Sequence, residues 1–330
     1  MDKRIYVNDR VRRPGEFQFY MHQFVETLKA TGVPSKQEII ITNKCKLNGI
    51  FIRIIKFLYS LRLYKKSKDS ALIITSRGKD LLSNSTPYYL KHEIIPMLWD
   101  VWPYSWNHIE KTIKLLKIKT VLVTVKSYAD KLKSEYGINA IWVPEGIETK
   151  NYHKGKNLNE REFDICELGR QYEPYHKIIQ SLHAKGCILG FLRTIYDDNG
   201  KVLKFAFDTN NEMYEKLPQT KIMVNFPKSV THPKEAGPVE TLTQRYWEAM
   251  LCRCLIIGKA PKELIELAGY NPVIEVDWNH AEKQITDIIS HISDYQELVD
   301  KNYAFAVKKA SWESRMQIIE ETLRLLGYDI

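Results

Sequence analysis

Short apolar runs alternate with amphipathic stretches along almost the whole chain. In the first half RIYVN, EIIIT, ALIITS, EIIPMLW, KTVLVTV and NAIWVP are brief, rich in β-branched or aromatic residues, and predict buried strands. Helical spacing fills the gaps, at residues 17–30, 50–63, 106–116 and 127–136. Strand and helix in regular alternation imply a parallel sheet covered on both faces. A polar stretch, EGIETKNYHKGKNLNEREFD, follows Pro144, and then the alternation resumes. FDICELG, CILGFL, KIMVNF, CLIIG and PVIEVD predict the strands of the second half, with helices at residues 174–184, 243–252, 261–267 and 280–306. The pattern therefore predicts an α/β protein of two doubly wound, Rossmann-like domains, residues 1–150 and 151–308. Ligands of such sheets bind beyond the carboxyl ends of the strands, and two units facing one another enclose a cleft. The closing segment, residues 309–330, carries apolar residues at 312, 316, 318, 319, 323, 325 and 326 after Ser311, a suitable N-cap. No strand follows it, so this helix needs an apolar surface from elsewhere, and the first domain is the expected source.

Length agrees with that division, since 330 residues exceed one average domain and fall short of three. The five cysteines, an odd number without paired spacing, point to a reducing compartment. Cys252 and Cys254 form a C-x-C beside an apolar run and are expected to be buried thiols rather than a metal or redox site. MDKRIYVNDRVRR has no apolar signal core, and no run approaches the ~18 apolar residues of a membrane span. A cytoplasmic location is the expectation. The net charge of +9 is unevenly placed: Lys and Arg minus Asp and Glu give 26 − 14 = +12 for residues 1–150 and 23 − 26 = −3 for the remainder. A basic half attracts an anionic membrane surface, nucleic acid or a phosphorylated substrate. IFIRIIKFLYSLRLYKKSK (residues 50–68) reads as a mostly buried helix whose basic tail touches lipid headgroups at most. The basic residues otherwise lie dispersed among helices without a nucleic-acid recognition motif.

The chemistry concentrates in PVETLTQRYWEAMLCRCLIIG, residues 238–258. Thr243 is the expected N-cap of a helix whose first N–H groups, on Gln244, Arg245 and Tyr246, point outward as anion donors. Glu240 in the preceding loop and Glu248 in the second turn are able to face one crevice. A carboxylate accepting two adjacent hydroxyls grips a ribose or a sugar ring, so anion donors beside two carboxylates suit a nucleotide sugar.

Glu240-x7-Glu248 with Ala249, Met250 and CLIIG resembles the nucleotide-sugar signature of GT-B glycosyltransferases, in particular the group-1 (family 4-like) enzymes of bacterial surface polysaccharide synthesis. VPEGIETKNY (143–152) is similar to the family's domain junction, DICELGRQYEPYHK (164–177) to the strand and basic loop that open its second domain, and SWESRM to the final helix that returns to the first domain. The resemblance implies a GT-B architecture, with an acceptor-binding first domain and a nucleotide-sugar-binding second domain. It implies transfer of a sugar from a nucleotide-diphosphate donor to a glycan or lipid-linked acceptor, with retention at the anomeric carbon and without metal or other cofactor. Residue by residue it implies that Glu248 holds the ribose and Glu240 the donor sugar or reacting centre, while Arg170 and Lys177 neutralise the diphosphate and Arg245 adds a phosphate contact. Asp100, in LWDVWP, stands where the family presents an acceptor-side residue, and RRPGE, with Arg13 and Gly15, stands at its first glycine-rich loop. The chain departs from the family in having Arg253 for a usual glycine, ETLT for EGFG-like text, and a single glycine in RRPGE. Contact with anionic membrane at the inner face of the plasma membrane, through the basic first domain, is compatible with such an acceptor. Two other readings stay open: a sugar-nucleotide epimerase or hydrolase on the same fold, and a non-catalytic binding protein.

Overall fold

The computed structural model describes residues 4–10, 19–32, 39–42, 49–61, 70–197 and 201–328. The chain divides into two compact units, residues 1–146 with 312–330, and residues 147–311.

The first unit runs β1 (Arg4–Arg10), α1 (Phe19–Ala30), β2 (Ile39–Thr42), α2 (Gly49–Ser60), β3 (Ser70–Arg77), α3 (Leu81–Ser85), β4 (Glu93–Trp99), α4 (Pro103–Leu116), β5 (Thr120–Val123), α5 (Lys126–Tyr136) and β6 (Asn139–Trp142). Among the described residues its sheet has the order β2-β1-β3-β4-β5-β6, every neighbouring pair parallel. The order reverses between β1 and β3, the place where such sheets open a crevice. Strands β3 and β4 are buried almost end to end, as a doubly covered parallel sheet demands.

The second unit runs β7 (Phe163–Glu167), α6 (Glu173–Ala184), β8 (Phe191–Arg193), β9 (Ile195–Tyr196), β10 (Val202–Lys204), α7 (Asn210–Lys216), β11 (Thr220–Asn225), α8 (Lys228–Thr231), α9 (Pro233–Ala236), α10 (Gln244–Leu251), β12 (Leu255–Gly258), α11 (Lys262–Ala268), β13 (Ile274–Glu275), α12 (Ala281–Ser290) and α13 (Gln296–Lys309). Its parallel sheet has the order β13-β12-β11-β7-β8 and reverses between β7 and β11. One core, on the α10 side, gathers Trp247, Met250, Ile256 and Ala306. The other gathers Tyr175, Ile179, Ile222, Ile257 and Ile285 beneath α6 and α12.

The last helix, α14 (Glu313–Leu325), belongs to the first unit. Met316, Ile319 and Leu323 share a core with Phe24 and Leu28 of α1, and Trp312 meets Phe24 and Trp99 edge-on at centroid distances of 5.5 and 6.0 Å. Trp312 itself, rather than Ser311, occupies the N-cap position. Ser311 pairs instead with Ile147, whose N–H donates to the Ala310 carbonyl at 2.8 Å.

The elements differ from expectation at several places. The helix expected over 280–306 is two helices, because Ser290 turns its hydroxyl back onto the carbonyls of Thr286 and Asp287, and residues 292–295 tighten into a 3₁₀ turn. That break lets α12 pack on α6 while α13 packs on α10, on opposite faces of the sheet. Elements also arise where no apolar run announced them, among them the β9–β10 hairpin and helix α7. Thr209 caps the N–H of Glu212 at 3.1 Å and Glu212 accepts from the N–H of Asp208, one residue before the cap, a variant of the capping box written in the sequence as T-x-x-E. Helix α2 is not the mostly buried helix expected over 50–63. Ile50, Ile54, Phe57, Leu58 and Leu61 are exposed, while Ile55 and Tyr59 face inward. Apolar residues occupy both sides of this helix, so periodicity alone does not say which side finds a wall.

Arg253, where the resemblance implies a glycine, has φ 54°. It ends α10 in a Schellman turn: Arg253 N–H donates to the Met250 carbonyl at 3.0 Å and Cys254 N–H to that of Ala249 at 2.8 Å. The left-handed conformation costs a side chain ~1–2 kcal/mol. Here the guanidinium offsets that cost, donating to the Gly155 carbonyl and to Asp300 of α13, both at 2.7 Å. Arg253→Ala, keeping the strain and losing both bonds, is expected to cost about 2–4 kcal/mol. Arg253→Gly loses the bonds but also removes the strain, and should be less destabilised than Arg253→Ala by ~1 kcal/mol. Urea unfolding checks the order wild type, Gly, Ala; an alanine variant as stable as the glycine one contradicts it.

Candidate functional site

The carboxyl end of the second unit's sheet is built by close approaches that only glycine permits. Gly258, ending β12, has φ 145°, and a Cβ there would stand 2.0 Å from the Asn225 carbonyl oxygen. Strands β11 and β12 therefore converge backbone to backbone just where α10 begins. Gly169 follows β7 with φ 82°, and a Cβ there would meet Nη2 of Arg245 at 2.6 Å. The loop after β7 thus meets the guanidinium that Arg245 extends from the first turn of α10, across the point where strand order reverses.

Helix α10 carries the site. Tyr246, Trp247, Ala249, Met250 and Leu251 are buried, and their apolar mass holds the helix to the sheet and to α13. Asn225 Nδ2 donates to the Arg245 carbonyl at 3.2 Å, and the Tyr246 hydroxyl to the Lys259 carbonyl at 2.6 Å, so the first turn is tied to the ends of both strands. Thr243 is the N-cap by backbone geometry, extended at φ −119° and ψ 163°, but its hydroxyl makes no capping bond. The N–H of Tyr246 turns back to the Thr243 carbonyl at 3.2 Å instead of pointing outward, and Gln244 is buried.

Glu248 is only 5% exposed. Its Oε1 accepts from the Tyr152 hydroxyl at 3.1 Å, while Oε2 has no hydrogen-bond partner and lies 3.8 Å from Nη1 of Arg245. A buried carboxylate with an oxygen unmatched is costly unless something else occupies that position. Burial first, then the Glu248 charge, push the Tyr152 phenol far above its ordinary range, so Tyr152 stays a neutral donor. Glu240, in the loop before α10, is paired with Lys259 from the end of β12. The Tyr246 phenol, pushed upward chiefly by burial, also feels the carboxylates of Glu240 and Glu275 and, in the opposite sense, the guanidinium of Arg170. Arg245, Glu248 and the Gly169 loop are thus in contact, with Glu240 and Arg170 in the electrostatic surroundings of the same first turn.

The residues expected on α6 are placed differently from one another. Lys177 is exposed and bound to Glu173 at 2.6 Å, one helical turn away. His176 reaches inward, its Nδ1 on Oε2 of Glu167 at the end of β7. Oε1 of Glu167 and the hydroxyl of neighbouring Tyr175 are buried without a hydrogen-bond partner. Neither Glu167 nor Tyr152 nor Lys259 was a candidate from sequence, because each acquires its place through a residue distant in the chain. Cys252 and Cys254 are buried thiols, and burial pushes Cys254 up to about 11. Among the described residues no cluster of three or more His, Cys, Asp or Glu side chains is arranged to hold a metal ion.

In the first unit Asp100 follows β4, exposed, with φ 51°. Left-handed backbone is least costly for a short polar residue, and it turns the chain sharply at the carboxyl edge of the sheet. Nearby, Arg77 sets Nε and Nη2 on Oδ2 of Asp80, and the half-buried Tyr20 phenol is raised by desolvation and then by the charges of Asp100 and Glu145. Arg13 and Gly15 lie outside the described residues.

No protein-family model matches the sequence, and no curated protein matches it. Solved structures do. The chain is similar to HepE of Anabaena, solved with UDP-glucose, at TM-score 0.60 and 12% identity over 98% of this chain and 99% of that one. It is similar to AviGT4, a glycosyltransferase involved in avilamycin A biosynthesis, at TM-score 0.57 and 13% identity over 99% and 98%. The likeness to TarM, at TM-score 0.52 and 15% identity, takes in 83% of this chain and spans 58% of TarM's length. The fold is the GT-B architecture that the signature implies.

The Tyr152–Glu248 bond yields a pH-resolved expectation. The unfolded phenol ionises near pH ~10, and the folded one ionises well above that. Folding therefore binds the proton more tightly, and the stability from this group is complete below pH ~10 and lost as pH rises through the folded pKa. Tyr152→Phe is expected to cost about 1–3 kcal/mol at neutral pH and to flatten the alkaline decline. Urea midpoints between pH 7 and 11 check this, and parallel declines in the two proteins would contradict it.

Proposed function

We propose that the protein is a glycosyltransferase that moves a sugar from a nucleotide-diphosphate sugar to a glycan or lipid-linked acceptor in cell-surface polysaccharide synthesis, with retention and without a metal. The observation that carries the reading is the buried Glu248 with Oε2 unmatched, beside Arg245 and the Gly169 loop, at the switch point of a GT-B second domain. The HepE structure contains UDP-glucose, which makes a UDP-sugar the first donor to test.

In this reading Glu248 accepts the two ribose hydroxyls, completing the carboxylate that Tyr152 already orients. Arg245 and Arg170 face the diphosphate, where negative charge grows as the glycosidic bond to phosphate breaks, and preorganised cations there lower the barrier without reorganising. Thr243 and Gln244 frame the helix start that lies against the phosphates. Lys177, held by Glu173 on the solvent side, is assigned no first contact in the proposal. Glu240, oriented by Lys259, contacts the donor sugar. Asp100 stands at the acceptor side of the first domain, where it receives the proton of the attacking hydroxyl or positions it.

Calorimetric titration with UDP, GDP, ADP, CMP and their common sugar conjugates tests the reading. One nucleotide is expected to bind, and Glu248→Ala to weaken it by about 10–100-fold, the worth of one or two hydrogen bonds to a charged group. Absence of binding across the panel overturns the donor site. Sugar released without an acceptor at the rate seen with one would identify a hydrolase instead.

A further inference from the structure

Four aromatic side chains meet at the carboxyl edge of the second unit's sheet, on the side covered by α6 and α12. Tyr172 stands at the start of α6 and Tyr175 in its first turn, Phe226 lies one residue past β11, and Trp278 lies between β13 and α12. Trp278 stacks on Phe226, with planes 30° apart and centroids 6.2 Å apart, and meets Tyr172 and Tyr175 edge-on at 5.7 and 5.9 Å. Tyr175 is fully buried, and Tyr172 and Phe226 pack against the same core. Trp278 nevertheless stays 52% exposed. Phe226 covers its inner face, so what meets water is the outer face and rim of the indole. A ring held in place by three others loses little conformational freedom when a ligand lies on it.

Polar neighbours select the ligand. Asp277, Asn279 and His280 flank the indole in the run DWNH, and all are exposed. Asp277 Oδ1 accepts from the Asn279 N–H and Oδ2 pairs with Nδ1 of His280, both at 3.0 Å, so the turn that carries the indole is itself fixed. A flat apolar face edged by a carboxylate, a carboxamide and an imidazole matches a pyranose ring, whose C–H groups present one apolar face while its hydroxyls donate and accept around the rim. An apolar peptide or a lipid chain would desolvate those polar groups without pairing them. A nucleobase also stacks, but Tyr152 and α10, which hold Glu248 for the proposed ribose contact, pack with the core on the other side of the sheet.

We infer that Trp278 is the stacking platform of a carbohydrate-binding subsite, which takes one pyranose ring of a glycan on the open face of the indole and its hydroxyls on Asp277, Asn279 and His280. The subsite shares no residue with the Glu248 crevice. That the bound glycan is the acceptor rests on the proposed transferase reading; the binding itself does not.

Calorimetric titration of the full chain with tetrasaccharides of glucose, galactose, mannose and N-acetylglucosamine tests this. At least one is expected to bind, with a Kd of about 1 mM. Trp278→Leu, which keeps apolar bulk and loses the flat face, should weaken that binding about tenfold or more, while Trp278→Phe stays within about threefold of the parent. Asn279→Ala removes an exposed amide and should weaken binding about threefold with the urea midpoint unchanged, so the inference stays open to refutation even where Trp278→Leu disturbs the packing on Phe226. Nucleotide affinity should be the same in all four proteins. A parent that binds none of the tetrasaccharides, or variants at 278 and 279 that bind as tightly as the parent, overturns the inference. So does a folded Trp278→Leu that loses nucleotide affinity, which would give the ring to the base. Failure of the transferase reading has a different signature: a parent that binds a tetrasaccharide and no nucleotide.

Discussion

Helix α10 is buried on nearly every side, and most of the second unit's arrangement follows from what that burial requires. Seven of its eight residues are buried, among them a glutamate. A carboxylate in that position is tolerable only with donors around it, and the chain supplies one in Tyr152 and a nearby cation in Arg245. The remaining oxygen is left unmatched at the edge of the sheet where a ligand would lie. The same helix has to be held so that its first turn reaches the ends of β11 and β12, which explains the polar ties from Asn225 and Tyr246 and the close approaches at Gly169 and Gly258. Stability and candidate function are therefore coupled through one short helix.

The far end of α10 illustrates how a local departure from a family pattern is absorbed. A glycine would enter the left-handed position after the helix without strain. Arginine enters it with strain, and its guanidinium then ties the loop at Gly155 and helix α13 to the helix end. Position 253 thus exchanges backbone ease for tertiary attachment, which a one-residue comparison with a sequence signature does not reveal.

The first unit distributes its apolar surface unevenly. Its sheet core is closed by α1 and α14 around the Phe24, Trp99 and Trp312 rings. In helix α2, Ile55 and Tyr59 are buried, while Ile50, Ile54, Phe57 and Leu58 are exposed.

What the sequence alone determined is everything governed by spacing along the chain. Runs such as ALIITS and KIMVNF are short, apolar and evenly separated, so the parallel α/β plan was legible from them. Glu240 and Glu248 stood out because their separation survives as a pattern in one segment. The T-x-x-E of the Thr209 cap is legible in the same way. Only the tertiary structure decided which distant groups complete those residues: Tyr152, 96 positions from Glu248, as its donor, Lys259 as the partner of Glu240, and His176 rather than Lys177 as the α6 side chain that reaches β7. It also decided which side of α2 met water. Hydrogen bonds and burial depend on distances in space, and those exist only after the sheet has brought separated segments together.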